Sequence, residues 1–233
     1  MTEVRITLRG IRKKYSTQQA LTNIDLTLER KGIVGLIGPN GSGKSTFLKL
    51  IAGLLQPSSG EILLSGKKVS RRSASHIAFL AEIDSLYGFQ TVGEAIRFWK
   101  ETTPDFSEEK ALEMASALGV DLQKKIKHLS KGNRARVKLL LTLSREVPIL
   151  LMDEPLSGLD PLVRQDILRM IVSYVDVEKQ MVILSTHEVS EVEPFLDYVI
   201  FLKDGEIVLE EGTDSLREKN GKSLVETMKE VLV

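Results

Sequence analysis

The stretch of sequence that decides the fold is residues 38–46, which read Gly38-Pro39-Asn40-Gly41-Ser42-Gly43-Lys44-Ser45-Thr46. It follows an apolar run at residues 33–37 and opens a helical pattern that ends at Gly53. The glycines let the backbone curl so that successive N–H groups point at one anion, and the helix directs the positive end of its dipole there. Lys44 adds a charge for the β- and γ-phosphates, and the Ser45 hydroxyl can ligate Mg²⁺. The stretch therefore predicts a loop that binds a nucleoside triphosphate.

The composition is that of an ordinary globular protein, since 42% of the 233 residues are apolar and 27% are charged. The 32 basic and 32 acidic residues cancel, so we expect no nucleic-acid partner. The absence of cysteine excludes disulfides and cysteine-ligated metal sites. The N-terminus lacks a signal-peptide pattern, and no apolar run reaches the roughly 18–20 residues that span a bilayer. We expect a cytoplasmic protein that reaches the inner face of the cell membrane only through a partner.

The pattern of apolar residues indicates an α/β fold. Continuous apolar runs, typical of strands buried on both faces of a parallel sheet, occur at residues 149–152, 182–184 and 199–202. Shorter strands are predicted at residues 4–8, 24–28, 61–64 and 77–80, the last two separated by a Ser-Gly-Lys-Lys turn. Helical patterns at residues 162–174 and 188–195 alternate with the buried strands.

One stretch differs from the rest, because from about residue 91 to residue 145 the pattern is helical only. We predict a single domain in which residues 1–83 and 146–212 form the catalytic α/β core. Residues 84–145 form an inserted helical subdomain, and residues 213–233 form a C-terminal helical tail. Within the insertion, Phe98 and Trp99 lie at helical spacing from Ala95, which favours packing in its core over a binding surface.

Two carboxylates follow the predicted strand at residues 149–152. Open α/β sheets bind ligands at the carboxyl ends of their strands, so we expect Asp153 and Glu154 beside the phosphate loop. Asp153 suits the holding of Mg²⁺, and Glu154 suits the polarisation of attacking water as a general base. The alternative is a solvated pair of carboxylates at a strand end.

A second anion site is predicted where Leu-Ser-Lys-Gly-Asn, residues 129–133, opens a helix that runs to Ser144. Ser130 is a good N-cap, and Gly132 allows close approach of a ligand to the backbone. Since the phosphates are already held near Lys44, a second site makes sense if it caps a nucleotide bound by another subunit. Simple N-capping by Ser130 is the alternative.

With these motifs in order, the chain resembles the ATPase subunit of an ABC transporter over essentially its full length. Residues 38–45 resemble the Walker A loop, residues 149–154 the Walker B strand and residues 129–133 the signature motif. The resemblance implies a P-loop NTPase (RecA-like) core with an antiparallel β subdomain and an inserted α-helical subdomain. It also implies ATP and Mg²⁺ as cofactors, with catalysis by Glu154 and Lys44.

The resemblance assigns roles to three further residues. Asp160, in Ser-Gly-Leu-Asp, resembles the D-loop aspartate, and His187 resembles the switch histidine that contacts the γ-phosphate and catalytic water. Tyr15 lies where the family places an aromatic ring that stacks on adenine. Each has a plainer alternative: Asp160 as a helix cap, His187 as a structural histidine and Tyr15 as an ordinary turn aromatic.

The chain departs from the family pattern at two positions. Where most members carry glutamine after the strand at residues 77–80, this chain has Glu82, as in bacterial ABC-2-type export ATPases. The Glu82 carboxylate can still reach Mg²⁺ or the attacking water, but it adds negative charge beside the γ-phosphate, which should make the site more dependent on the metal. In the signature motif, Asn133 replaces the usual glutamine. We expect these two departures to affect the rate of transport more than the binding of ATP.

The resemblance implies a subunit that powers a membrane transporter, with export favoured by Glu82 and by the short tail. Two copies, identical or paralogous, would pair head to tail around two ATPs, and transmembrane permease subunits would dock beside the loop at residues 82–90. Tyr87 and Phe89 are candidate docking contacts, and packing within the loop is their alternative. The alternatives for function are an ABC ATPase that drives a membrane protein mechanically, a soluble ABC ATPase, and an unrelated phosphate-loop kinase or GTPase.

Overall fold

The computed structural model describes residues 4–83, 85–220 and 222–232. Its strands are β1 (Ile6–Tyr15), β2 (Gln18–Leu28), β3 (Gly32–Ile37), β4 (Ser59–Leu64), β5 (Lys67–Lys68), β6 (Ile77–Leu80), β7 (Ile149–Met152), β8 (Met181–Thr186), β9 (Tyr198–Lys203) and β10 (Glu206–Gly212). Its α-helices are α1 (Lys44–Ile51), α2 (Val92–Thr102), α3 (Glu108–Ala117), α4 (Lys131–Leu143), α5 (Pro161–Tyr174), α6 (Val189–Val192), α7 (Thr213–Asn220) and α8 (Leu224–Leu232).

The larger sheet has the order β10-β9-β3-β8-β7-β6 among the described residues. Its neighbours pair in parallel except β10, which runs antiparallel to β9. β3, β7 and β8 are buried along their whole length, as their continuous apolar sequences predict. Because parallel strands point the same way, the segments that follow β3, β6, β7 and β8 meet at one edge of the sheet, and this edge carries the candidate site.

The smaller sheet is antiparallel and has the order β2-β1-β4-β5. It shares a core with α1 and the larger sheet, since Leu8 of β1, Phe47 of α1 and Leu36 of β3 belong to one buried cluster. This confirms the antiparallel β portion expected of the fold. Helix α1 is amphipathic, and its buried side holds the phosphate loop against the sheets.

Helices α2, α3 and α4 occupy the chain between β6 and β7. Residues 91–145 contain no strand, only two isolated β-bridges, which pair Thr91 with Lys125 and Phe106 with Arg145. The subdomain boundaries themselves stay a prediction. Asp84, the first residue of the predicted helical subdomain, lies outside the described residues, as do residues 1–3 of the predicted core and Gly221 and Val233 of the predicted tail.

Two expectations about the smaller elements were wrong. The Ser-Gly-Lys-Lys turn does not lead from β4 to β6: Ser65 and Gly66 have φ of 46° and 81°, typical of a tight hairpin, and return the chain into β5. The predicted helix at residues 188–195 is divided into α6 and a 3₁₀ turn, Glu193–Phe195, because Pro194 lacks the N–H that a continuous helix needs.

Strand β10 was not among the strands predicted from the sequence. This strand carries Glu206, Glu210 and Glu211, and glutamate is depleted in strands, so its pattern is weak. It pairs with β9 as an edge strand of the larger sheet. Across residues 4–83, 85–220 and 222–232, no helix has both the length and the apolar character needed to cross a lipid bilayer.

Candidate functional site

The phosphate loop joins β3 to α1, and two of its glycines are required by space as well as by conformation. A Cβ on Gly38 would lie 2.2 Å from the carbonyl oxygen of Leu202. Gly43 has a φ of 107°, and a Cβ there would lie 2.6 Å from the carbonyl oxygen of Ala20. Any larger residue at either position would force the backbone apart, so the loop depends on glycine for its shape.

Lys44 lies inside this loop with only 5% of its surface exposed. Its ammonium donates hydrogen bonds to the carbonyl oxygens of Gly38 (2.8 Å) and Pro39 (3.1 Å). The same Nζ lies 3.2 Å from Oε1 of Glu154, whose side chain is equally sheltered. The structure therefore brings together the predicted cation and the predicted general base, although Lys44 follows β3 and Glu154 follows β7, far apart in the sequence.

The hydroxyls of two serines converge on Asp153. Ser45 Oγ and Ser185 Oγ each donate to Oδ1 of Asp153 over 2.9 Å. Ser45 follows β3, Asp153 follows β7, and Ser185 lies in β8, the strand between them. This chain of contacts spans the sheet edge and fixes the Asp153 carboxylate beside the start of α1.

Glu154 adopts an unusual backbone conformation, with a φ of 47°. Its N–H donates to Ser185 Oγ over 2.9 Å, which helps to hold this left-handed residue in place. Oε2 lies 2.9 Å from Nδ1 of His187, so the carboxylate is placed between the histidine ring and the Lys44 ammonium. Oε1 has no hydrogen-bond partner in the described structure; its contact with Lys44 is an ion pair without hydrogen-bond geometry.

Glu82 follows β6 at the same edge of the sheet. It lines a cavity of about 580 Å³ together with Glu154, Lys131 and Lys138. The cavity separates the end of β6 from the start of α4. Glu82 and the general-base candidate thus line the same cavity, and the contact of Glu82 with a nucleotide or a metal stays a prediction.

Ser130 and Gly132 lie at the start of α4. Ser130 is exposed and caps the helix, accepting a hydrogen bond from Asn133 N over 3.3 Å. A Cβ on Gly132 would lie 2.7 Å from Cγ2 of Val163 in α5. Ser130 therefore acts as a helix cap within its own chain, and Gly132 allows α4 to pack closely against α5. Their contact with a second subunit's nucleotide stays a prediction.

Asp160 and Tyr15 stand apart from the cluster of Lys44, Ser45, Asp153 and Glu154. Asp160 is exposed and caps α5 by accepting from Val163 N over 3.2 Å. Tyr15 ends β1 with 44% of its surface exposed, and its ring centroid lies 5.1 Å from the ammonium of Lys13. One face of the ring is thus covered by a cation, and stacking of adenine on the ring stays a prediction.

Tyr87, Phe89 and Phe98 form an exposed aromatic patch. The Tyr87 ring lies 5.6 Å from Phe89 and 6.1 Å from Phe98, centroid to centroid. Trp99 is partly buried against Phe106, as predicted, but the expectation for Phe98 was wrong, because 41% of its surface is exposed. Helix α2 turns Phe98 towards the loop at residues 82–90 instead of into the core.

The oxygens at the sheet edge fit Mg²⁺. The described residues hold no group of three or more histidine, aspartate or glutamate side chains that could bind a metal on their own. Mg²⁺ does not need such a group, because it is commonly held by one or two carboxylates together with phosphates and water. Ser45 Oγ and Asp153 Oδ1, 2.9 Å apart next to the phosphate loop, supply hard oxygen ligands of this kind.

The contacts of two residues of the site were not predicted from the sequence. Ser185 is fully buried in an otherwise apolar strand, and a buried hydroxyl needs a partner, which is a signal that could have identified it. Lys138 lines the cavity and donates to the backbone next to Glu82. Its position in a predicted helix carried no such signal.

The comparisons with known proteins agree with this geometry. Residues 21–157 match the family model described as ABC transporter. The chain is 31% identical over 216 residues to the lantibiotic transport ATP-binding protein SrtF of Streptococcus pyogenes, covering 91% of this chain and 93% of that one. It is 36% identical over 207 residues to the aliphatic sulfonates import ATP-binding protein SsuB of Corynebacterium glutamicum, covering 86% and 81% respectively.

Solved structures resemble the whole fold. The ATP-binding subunit of an ABC transporter superposes with a TM-score of 0.83 at 26% identity, covering 97% of this chain and 98% of that one. A dimeric ATP-binding cassette in a post-hydrolysis state, bound to ADP and Pi, superposes with a TM-score of 0.78 at 25% identity, covering 89% and 98%. The chain therefore belongs to the ABC transporter family and is an ATP-binding, ATP-hydrolysing subunit of a transporter.

Proposed function

We propose that this chain is the ATPase subunit of an exporter and that Glu154 is its general base. The observation that carries the proposal is the placement of the buried Glu154 carboxylate between Lys44 and His187, 3.2 Å and 2.9 Å away, next to the phosphate loop. A carboxylate in this position can accept a proton from a water molecule directed at the γ-phosphate.

Phosphate binding is assigned to the loop at residues 38–46. Its N–H groups and the N-terminus of α1 provide partial positive charge, and the Lys44 ammonium provides a full charge for the β- and γ-phosphates. Ser45 and Asp153, assisted by Glu82, would hold Mg²⁺, which supplies positive charge for the phosphates when it is bound.

The reaction then follows from the contacts of Glu154. Lys44 now faces Oε1 of this carboxylate, and a triphosphate would compete for the ammonium and leave Oε1 able to accept a proton. Water oxygen bonds to the γ-phosphorus, its proton passes to Glu154, and the bond from the γ-phosphorus to the β–γ bridging oxygen breaks. ADP and phosphate leave. His187 would orient Glu154 through Oε2, which lies 2.9 Å from its Nδ1, and would contact the γ-phosphate.

We infer that two copies, identical or paralogous, complete the site. Ser130, Gly132 and Asp160 do not belong to the cluster around Lys44, and Ser130 and Asp160 are exposed. A head-to-tail pair would place these residues of one copy against the ATP bound by the other. In support, a structural neighbour of similar size is titled as a dimer bound to ADP and Pi.

The membrane partner would be a pair of transmembrane permease subunits, with this chain on the cytoplasmic side. The aromatic patch of Tyr87, Phe89 and Phe98 is the surface assigned to this contact, because exposed aromatic side chains often carry most of the binding energy of an interface. Two of the patch residues, Tyr87 and Phe89, lie in the loop at residues 82–90, which begins at Glu82, so docking at the patch would act on the same loop as Glu82.

Export is proposed on the basis of Glu82, the residue that resembles the pattern of ABC-2-type export ATPases. The relatives do not agree on direction, because SrtF is named for lantibiotic transport and SsuB for sulfonate import. The test is to purify the chain with its permease from membranes and place the complex in proteoliposomes with the ATPase facing outward. Export predicts that compounds added on the ATPase side stimulate hydrolysis and accumulate in the lumen. Stimulation only by compounds inside the lumen would show import.

A further inference from the structure

Lys138 joins α4 to the segment that carries Glu82. Its ammonium donates to three consecutive carbonyl oxygens, those of Ala81 (2.5 Å), Glu82 (3.0 Å) and Ile83 (3.0 Å). An ammonium has three protons, so it can donate to all three. Charge-assisted hydrogen bonds of this kind are stronger than neutral ones, and three on one backbone segment restrict its position.

The segment bonded to Lys138, residues 81–83, follows the end of β6 and has no strand pairing. Within the described part of the chain, β6 is the edge strand of the larger sheet and pairs only with β7. The hydrogen bond from Asp153 N to Leu80 O, 2.9 Å long, marks the end of this pairing. Ile83 is already 74% exposed. The bonds from Lys138 therefore hold the backbone of residues 81–83 just after it leaves the sheet.

The position of this backbone decides where the Glu82 carboxylate points. Glu82, Lys138 and Glu154 line one cavity, so a small movement of residues 81–83 moves one carboxylate relative to the other. Lys138 also connects this segment to the helix that begins at Ser130. Eight residues of α-helix, about 12 Å, separate Lys138 from Ser130.

We propose that Lys138 is a positioning residue: it holds the backbone of residues 81–83 so that the Glu82 carboxylate is directed at the nucleotide and its metal. The inference rests on the proposed role of Glu82. It predicts that loss of the Lys138 ammonium loosens the segment before any nucleotide is bound, and weakens the response of the enzyme to Mg²⁺ afterwards.

The chain contains no cysteine, so one introduced thiol can be labelled uniquely. Ile83→Cys, carrying a nitroxide label, reports nanosecond motion of the segment in the nucleotide-free protein. We expect Lys138→Met to shorten the label's rotational correlation time about twofold. Lys138→Arg should keep it near the parent value, because a guanidinium still donates to carbonyls.

Arg136→Gln is the matched control. Arg136 lies in the same helix but bonds to Asn133 (2.7 Å) and to Asp166 in α5. Its loss should leave the label unchanged. Equal label mobility in Lys138→Met and the parent protein would overturn the inference.

The link to Glu82 is tested by a double-mutant cycle on Mg²⁺-dependent hydrolysis in the cysteine-free chain. Lys138→Met should raise the Mg²⁺ concentration at half-maximal rate about threefold, and should have little effect when Glu82→Gln is already present. Additive effects would overturn positioning through Glu82. If Glu82→Gln alone leaves the Mg²⁺ response unchanged, the proposed role of Glu82 fails, and the catalytic part of this inference fails with it. The spin label still decides independently whether Lys138 holds the backbone of residues 81–83.

Discussion

The ammonium of Lys44 and the carboxylate of Glu154 face each other across 3.2 Å, and their side chains are only 6% and 10% exposed. A sheltered ion pair of this kind loses its hydration and depends on its partners for compensation. The ammonium has Gly38 and Pro39 as further acceptors, and the carboxylate has His187. In the proposed mechanism a triphosphate takes the place of Glu154 beside Lys44, so binding of the substrate releases the base.

Lys44→Ala should weaken ATP binding and abolish turnover, since it removes the charge that faces the phosphates. We expect a fall in kcat of about 10²–10³-fold or more, the range seen when one electrostatic stabiliser is lost. The measurement is steady-state ATP hydrolysis with a parallel nucleotide titration. Lys49→Ala, in the last turn of the same helix, should keep normal activity. Unchanged hydrolysis in Lys44→Ala would refute the phosphate-loop assignment.

Ser185→Ala should lower both stability and kcat. The serine donates to Asp153 and accepts from the Glu154 N–H, so its loss leaves a sheltered N–H without a partner, at a cost of about 1–3 kcal/mol. Chemical denaturation and ATPase assays measure the two effects.

The control for Ser185 is Ser144→Ala. Ser144 is as deeply buried and donates to Leu140 O over 2.6 Å, but it lies at the end of α4. The Ser144→Ala protein should be less stable than the parent protein and should keep the parent kcat. If both serine variants change kcat equally, the link from Ser185 to the catalytic carboxylates is not functional.

Tyr15→Ala should raise the dissociation constant for ATP by removing the ring on which adenine is proposed to stack. Borrowing the value for base–aromatic stacking in nucleic-acid binding, we expect a loss of about 1–3 kcal/mol. Calorimetric titration of the nucleotide measures it. Tyr15→Phe keeps the ring and should keep the affinity. An unchanged affinity in the alanine variant would remove Tyr15 from the site.

Tyr87→Asp should reduce binding to the membrane subunits and leave hydrolysis by the isolated chain unchanged. A charge placed in the aromatic patch opposes burial against an apolar partner. The measurement is recovery of the chain with membranes or with the purified permease. Leu54→Asp is matched to it, because Leu54 is 55% exposed and Tyr87 is 54% exposed. Equal recovery of both variants would place docking elsewhere.

Local chemistry made the phosphate loop predictable. Its residues are contiguous in sequence, and the strand before them and the helix after them follow from continuous patterns. The nearness of Asp153 to Ser45 was also predictable, because both follow strands whose carboxyl ends share one edge. These features need no knowledge of the order of the strands.

The remaining contacts depend on long-range topology. Ser185 lies between Ser45 and Asp153 only because β8 separates β3 from β7, and no local pattern orders these strands. Lys138 reaches residues 81–83 across more than fifty positions of sequence. The edge strand β10 was missed because its alternation is carried by few apolar residues among glutamates.

The most direct test of the central claim is light scattering of the Glu154→Gln protein during gel filtration, with and without Mg-ATP. Loss of the base should stop hydrolysis but leave the phosphate loop intact, so ATP should hold two chains together. We predict a particle of twice the 26.0 kDa chain mass only when Mg-ATP is present. Glu101→Gln, an exposed position in α2, should hydrolyse ATP and show no lasting dimer. A Glu154→Gln protein that stays at 26.0 kDa with ATP bound would contradict the pairing of two identical chains around ATP and would require a different ATPase chain or the membrane partner to complete the site.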